Sequence, residues 1–292
     1  MSASSGAIVV IGAGGFIGRR LTQLLRDRDV VSISSADAYF DEHGLIADDL
    51  AVRGSVDAVV YLSQSPRYQD VPAHAGHLWA VNVVSAIKAA EWARRRGARR
   101  FVYASSGTVY APSFAAHRET DVLRRDKWYA LSKVHAEEAL HRFSPDLNVT
   151  CARFFSVYGP GQYGKLVPNL VSNIDAGGPV FIQPHPHDPS DRDGIRLSLV
   201  HVDDAAAAVA RLVDQAGPPA INVASPDTLT IRQIATAVGA CLGKAPIFEP
   251  ASEPRDGDVI ADISAISKLL DNRFISFEAA IRDVVRQSGA DD

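Results

Sequence analysis

The chain has 292 residues, a length that allows one large domain or a domain with a smaller companion and excludes solenoid arrays and mini-proteins. Hydrophobic residues make up 47% and charged residues 22%, a balance that can bury a core and is far from the signature of disorder. Lys plus Arg number 30 against 34 Asp plus Glu, a net charge of −4 without the basic bias that a phosphate backbone requires, so nucleic acid is not an expected partner.

Ala7 to Ile11 is a β-branched run, followed by Gly12-Ala13-Gly14-Gly15-Phe16-Ile17-Gly18 and by Arg19 to Arg28, where Leu21, Leu24 and Leu25 recur at helical spacing. The pattern reads as strand, glycine turn, helix. Val30 to Ile33 and Val56 to Leu62 are the next strands, with an irregular stretch between them. A helix is expected over about Ala80 to Arg96, stopped by Gly97. A strand at Phe101 to Ala104, a helix from Tyr129 to Phe143 and a strand at Val149 to Phe154 follow. This alternation predicts an α/β fold, a Rossmann-type doubly wound parallel sheet covered on both faces.

From about Gly159 the texture changes, with Pro160, Gly161, Pro168, Gly177, Gly178 and Pro179, then a Pro-, His- and Asp-rich loop from Gln183 to Gly194. Helices at about Val202 to Gln215, Thr230 to Leu242 and Ser276 to Gln287 suggest a smaller mixed α/β substrate domain. The expected division is residues 1–158 for dinucleotide binding, joined again by segments near 195–225, and 159–292 mainly for substrate.

No apolar run approaches the roughly 18 residues of a membrane span, and Met1 to Gly6 lacks a signal-peptide start, so no membrane contact and a cytoplasmic location are expected. Cys151 and Cys241 lack metal-ligand spacing and read as core thiols. His185, His187, Asp188, Asp191 and Asp193 read as a solvated substrate loop, and no metal is expected.

The glycines Gly12, Gly15 and Gly18 permit a tight turn and let backbone amides approach a pyrophosphate at the positive end of a helix. A dinucleotide site places an acidic residue roughly 20 positions after the glycines, where this chain has Ser34 and Ser35. Hydroxyls there, with Arg19 and Arg20 near the turn, favour NADP over NAD, although Asp37 could substitute for the acid. Tyr129 and Lys133 stand four apart on one helix face, where an ammonium favours the phenolate and brings a group of pKa near 10 towards neutrality. Tyr103-Ala104-Ser105-Ser106-Gly107-Thr108-Val109-Tyr110 is a strand that ends in hydroxyl residues one crossover earlier.

With these motifs in order, joined by Asn82-Val83, Arg153 to Gln162, Val200 to Asp204 and Ile221 to Ala224, the chain resembles an extended short-chain dehydrogenase/reductase of the nucleotide-sugar epimerase, dehydratase and ketoreductase group. That resemblance implies Ser106, Tyr129 and Lys133 as catalytic residues. It gathers Gly12, Gly15, Phe16, Ile17, Gly18, Ser34, Ser35, Leu62, Ser63 and Phe155, with Tyr129 and Lys133, around the dinucleotide. It assigns Ser106, Gly107, Thr108, Tyr129, Ser156, Arg196 and Arg255 to the substrate, Arg255 as the grip on a nucleotide-sugar diphosphate. It also implies a homodimer formed through the helices near Ala80 to Arg96 and Tyr129 to Phe143.

Departures narrow the activity. Gly107-Thr108 replaces the Asp-Glu pair of dehydratases, which argues against dehydration. Ser156 replaces an asparagine, Tyr61-Leu62-Ser63-Gln64 stands where His-Leu-Ala-Ala is common, and Arg196-Leu197-Ser198-Leu199 where Arg-Asp-Phe is usual. The expectation is an NAD(P)-dependent enzyme acting at a carbonyl or hydroxyl carbon, C4, of a nucleotide-activated sugar. A ketoreductase is favoured over a 4-epimerase that retains NAD. A catalytically idle dinucleotide-binding protein is the alternative of another class, and the intact Ser, Tyr and Lys set argues against it.

Overall fold

A computed structural model describes residues 6–288. The chain runs β1 (Ala7–Ile11), α1 (Phe16–Leu24), β2 (Val30–Ile33), β3 (Val56–Tyr61), α2 (Ala75–Trp79), a π-helical turn (Ala80–Val84), α3 (Ser85–Arg95) and β4 (Arg100–Ser106). Next come α4 (Trp128–Leu140), β5 (Asn148–Phe154), β6 (Val157–Tyr158), α5 (Leu166–Asp175), β7 (Pro179–Ile182), β8 (Arg196–Ser198) and β9 (Val200–His201). The last elements are α6 (Val202–Asp214), β10 (Ala220–Val223), β11 (Thr228–Thr230), α7 (Ile231–Leu242), β12 (Ile247–Pro250), α8 (Ser264–Leu269) and α9 (Phe277–Ser288). No helix among the described residues is long and apolar enough to cross a membrane.

Six strands form one sheet in the order β10-β5-β4-β3-β1-β2, and β2, β1, β3, β4 and β5 run parallel. All five residues of β1 are buried, as a central parallel strand covered on both faces requires. Val9, Ile11, Val59, Tyr61, Phe101 and Tyr103 pack with Ala86, Ala89, Ala90 and Trp92 of α3 and Ala136 and Leu140 of α4. Alternate residues Ile8, Val10, Val60 and Val102 are buried on the opposite face. The chain reverses its winding between β1 and β3, and ligands of open α/β sheets collect at the carboxyl ends of strands beside such a reversal. Neither helix nor strand forms between Ile33 and Val56, where the irregular stretch was expected.

Two compact units emerge. One holds residues through Ala111, Glu119–Phe154 and Ala206–Ile221, and the other Pro112–Arg118, Phe155–Ala205 and residues from Asn222 onward. The second unit has a core of α5, α7 and α9 side chains, among them Val167, Val171, Ile234, Val238, Ile281 and Val284. Its two-stranded sheets pair β11 with β8, β12 with β7 and β6 with β9. Thr230 caps α7 in a reciprocal box with Gln233, and Gly243 ends that helix at φ +68°.

Several elements depart from expectation. The first helix starts early, at Phe16, because Gly15 is its cap, and it ends at Leu24 with Leu25 as its C-terminal cap. The helix expected from Ala80 starts at Ala75 and carries a π turn at Ala80–Val84. α5 was not anticipated; its Pro168 lies in the first turn, where a missing N–H leaves no helical bond unmade.

Candidate functional site

β1 ends in a turn at which Gly12 takes φ +93°. A Cβ on Gly12 would lie 2.7 Å from the backbone nitrogen of Ser63, so only glycine lets the end of β1 meet the end of β3. A Cβ on Gly18 would lie 2.3 Å from the carbonyl oxygen of Gly12, and α1 rests on the turn at a distance no side chain permits. No side chain caps α1, whose first amides therefore face the turn unsatisfied by any side-chain oxygen. This cradle suits the pyrophosphate of a dinucleotide. Phe16 and Ile17 open the helix, and Leu62 and Ser63 follow β3 at the same edge.

Ser34 lies beside the turn, its Cβ 3.4 Å from where a Gly14 Cβ would stand. The carboxylate of Asp37 accepts hydrogen bonds from the Ser34 backbone nitrogen at 2.6 Å and from its hydroxyl at 2.9 Å. Those bonds, the backbone one foremost, hold the Asp37 pKa below the usual carboxylate value. A carboxylate thus stands at the end of β2 after all, that of Asp37, folded back three residues. The predicted preference for NADP finds no support in this arrangement, because a 2′-phosphate would meet a negative charge. Ser35 is exposed, and no hydrogen bond joins it to this group.

Ser106 ends β4, with Gly107 and Thr108 in a single 3-10 turn after it. The Ser106 and Thr108 hydroxyls are 2.9 Å apart, and the Thr108 backbone nitrogen donates to the Ser106 hydroxyl. Tyr129 stands in the first turn of α4 and Lys133 one turn later. Burial pushes the Tyr129 phenol up, a hydrogen bond with the Ser106 side chain pulls it down, and Tyr68 pushes it up again. The Tyr68 and Tyr129 rings are 5.3 Å apart.

Lys133 is 1% exposed. Its ammonium donates to the Ala104 carbonyl at 2.8 Å and lies 4.8 Å from the centre of the Tyr103 ring and 5.9 Å from that of Tyr129. Burial lowers its pKa to about 7, against the pull of the Glu137 carboxylate one turn on. The expected depression of the phenol by this lysine is therefore not what the geometry delivers. The nearest partner of the ammonium is a carbonyl, and desolvation dominates both groups.

Two features went unread in the sequence. The Tyr129 hydroxyl donates to Gln64 Oε1 at 3.0 Å. Asn82, fully buried inside the π turn, accepts from the Ser65 backbone nitrogen and donates to the Ser132 hydroxyl, which donates to the Tyr129 carbonyl. The Tyr103 hydroxyl donates to the Asn82 carbonyl, which the widened turn leaves accessible. The sequence signal for Asn82 was its place in the Asn82-Val83 motif. Gln64 had one too, as a polar residue where alanine is common.

The second unit carries the remaining expected residues. Phe155 is a buried side chain, 1% exposed. Ser156 is half-buried, and its carbonyl accepts from the Val200 nitrogen at 3.4 Å. Arg196 donates to Asp258 at 2.7 Å and to the Phe114 carbonyl at 2.9 Å. Arg255 is 4% exposed, with its guanidinium held by Asp258 at 3.1 Å and Asp191 at 2.5 Å and stacked on Phe114. The grip expected of Arg255 is thus engaged by carboxylates of its own unit. In the loop read as solvated, His187, Asp188 and Asp193 are exposed, while Asp191 meets Arg255 and the His185 ring lies tilted against Phe114, 4.1 Å between centres.

Over 191 residues the chain is 31% identical to the dTDP-4-dehydro-6-deoxy-D-allose reductase of a Streptomyces species, a match covering 60% of this chain and 56% of that one. It is 23% identical over 293 residues to the dTDP-4-dehydro-6-deoxyglucose reductase of Escherichia coli, covering 90% and 91%. The chain spans about half the length of the Streptomyces relatives it matches. Among solved structures, the UDP-glucuronic acid 4-epimerase of Bacillus cereus in complex with UDP-glucuronic acid and NAD shares the fold with a TM-score of 0.79 at 18% identity, over 97% and 99% of the two chains. With the match of its family model over residues 8–224, the chain belongs to the NAD dependent epimerase/dehydratase family.

Proposed function

We propose that this chain is an NAD-dependent oxidoreductase acting on a nucleotide-activated sugar, and that it reduces a carbonyl at C4. The observation that carries the reading is the placing of Ser106 at the end of β4 with Tyr129 and Lys133 one turn apart on α4, the Lys133 ammonium 5.9 Å from the centre of the Tyr129 ring. The names of the Streptomyces and Escherichia coli relatives, both 4-dehydro-sugar reductases, support the substrate class. Bound along the glycine turn, a nicotinamide dinucleotide supplies the hydride.

The chain's own residues would divide the remaining work. Gly12, Gly15 and Gly18 make room for the pyrophosphate, while the amides of Phe16 and Ile17 bind it at the positive end of α1. Asp37 accepts from ribose hydroxyls and supports NAD over NADP. The Ser106 hydroxyl donates to the substrate oxygen, aided by Thr108, and Tyr129 gives that oxygen its phenolic proton. Lys133 holds the nicotinamide ribose. In the second unit Arg255 would take the diphosphate only by exchanging Asp191 for phosphate oxygens, and Arg196 and Ser156 would contact the sugar nucleotide. The reading extends to a homodimer through α3 and α4, supported by the exposed apolar side chains Val84 (39%) and Trp128 (44%) at those helices, and to a cytoplasmic enzyme.

The test starts with the purified protein, denatured and assayed by mass spectrometry for released dinucleotide, then supplied with NADH or NADPH and a panel of 4-keto sugar nucleotides. Oxidation of NADH in step with sugar reduction supports the reading, and Tyr129→Phe should cut that turnover by roughly 10² or more with its melting temperature kept. Stoichiometric NAD carried through purification, with interconversion of UDP-sugars and no net NADH oxidation, would replace it with a 4-epimerase.

A further inference from the structure

Gln64 touches the reacting group of the site from a side that Ser106 and Lys133 leave open. It is an exposed residue just past β3, and the backbone around it is anchored. The Leu62 nitrogen donates to the Ile11 carbonyl before it, and the Ser65 nitrogen donates to Asn82 Oδ1 after it, with the Ser65 hydroxyl 2.8 Å from His77 Nδ1. The amide is thereby presented to Tyr129 from a fixed base, and its oxygen receives the phenolic hydrogen at 3.0 Å.

An amide oxygen has lone pairs and no hydrogen, so it bonds a phenol only while the phenol keeps its proton. In the orientation the amide takes here, ionisation of Tyr129 breaks this bond and sets two oxygen lone pairs against each other. Hydrogen bonding to the neutral form disfavours the charged one. We propose that Gln64 is a positioning residue that keeps the Tyr129 phenol in its protonated, proton-donating form and so poises the site for carbonyl reduction. The inference rests on the reductase reading for its purpose, but not for its geometry.

The step it serves is the reduction of a carbonyl to an alcohol. The carbonyl carbon takes a hydride from a reduced nicotinamide dinucleotide, the carbonyl oxygen takes the Tyr129 proton, and the phenolate is reprotonated from water. The other groups facing Tyr129 are Ser106 at the end of β4, Tyr103 within β4, Tyr68 from the segment after β3, and Lys133 on α4 itself. The substitutions at Gln64 alter none of these residues, and a shift is read against them as a common background.

The experiment compares wild type, Gln64→Ala and Gln64→Glu, labelled with 13Cζ-tyrosine. Tyr129 ionisation is followed by NMR up to the alkaline limit of folding, and its resonance is assigned by its loss in Tyr129→Phe. Gln64→Ala should ionise at lower pH than wild type by about one unit, the worth of one such hydrogen bond. Gln64→Glu should ionise at higher pH, because a carboxylate accepts the same hydrogen and repels the phenolate. The alkaline limb of kcat/KM for carbonyl reduction should move in the same two directions. Identical curves in the three proteins, titrating or flat, overturn the proposal, as does an upward shift in Gln64→Ala. Opposed NMR shifts in a chain that reduces no keto-sugar uphold the role of Gln64 and refute the reductase reading. Identical curves in an active reductase do the reverse.

Discussion

Arg153 on β5 holds both carboxylate oxygens of Glu137 on α4, with Nε 3.0 Å from Oε1 and Nη2 2.6 Å from Oε2. The side chains are 5% and 2% exposed. The same guanidinium donates through Nη1 to the Tyr110 hydroxyl and the Glu119 carbonyl, each at 2.9 Å. This pair therefore ties the helix that carries Tyr129 and Lys133 to the sheet and to the segment after β4.

Removal of one partner strands a buried charge, whereas removal of both strands none. Glu137→Ala should lower stability by roughly 3–5 kcal/mol, while a double replacement with apolar residues of similar volume should cost much less. Urea unfolding of the two single variants and the double variant checks this. A double variant as unstable as the sum of the singles would mean that the two charges act independently.

The glycine turn makes a sharper prediction. Gly18→Ala must place its Cβ against backbone, 2.3 Å from the Gly12 carbonyl oxygen and 2.8 Å from the Ala13 Cα, with no flexible side chain to yield. The turn has to open, and dinucleotide affinity should fall at least tenfold, about 1.4 kcal/mol. Fluorescence titration with NADH reads it directly. Gly54→Ala is the control: its φ of +78° is strained as well, but nothing lies within 4 Å of its Cβ, so affinity should hold.

How much of this was legible beforehand follows from which forces act locally. β1, the glycine turn and the strands at Val56 and Arg100 were readable because apolar runs and glycines report their own conformation. The spacing of Tyr129 and Lys133 on α4 was readable from helical geometry alone. The aim of the lysine was not, since the Ala104 carbonyl that accepts its hydrogen bond belongs to β4. Asp37 was legible only as a residue that could substitute for the acid, because the fold-back onto Ser34 is a turn that residue counting from the glycines does not reveal. Arg255 was legible as a cation, but its two carboxylate partners lie 3 and 64 residues away and only folding joins them. The π turn is similar: Asn82 needs Ser65 and Ser132 as partners before the widened helix becomes the better state.

The role proposed for Asp37 predicts a cofactor preference. Its carboxylate sits on Ser34 beside the glycine turn, so it should favour the dinucleotide that lacks a 2′-phosphate. Asp37→Asn removes the charge and keeps the shape, and should raise the affinity for NADPH relative to NADH several-fold. The ratio should respond to salt in wild type more than in the variant, as a screened repulsion does. A ratio unmoved by the substitution would take Asp37 out of the cofactor site.

The second unit offers a test in stability alone. Asp204, in the first turn of α6, is 8% exposed, and it accepts the Ile275 nitrogen at 2.7 Å. Burial, partly offset by that hydrogen bond, lifts its pKa to about 6, with the Asp203 charge adding to the lift. The folded state thus binds this proton more tightly than the unfolded state, whose value is 3.8. The linkage then has a definite sign: the contribution of Asp204 is favourable below about pH 4 and is lost as pH rises through about 6. Asp204→Asn keeps an oxygen for Ile275 and cannot ionise, so it should melt higher than wild type at pH 7.5, by a few degrees. That advantage should shrink through pH 6 and vanish near pH 4. A melting difference constant across this range would show that the two side chains differ in packing and not in charge.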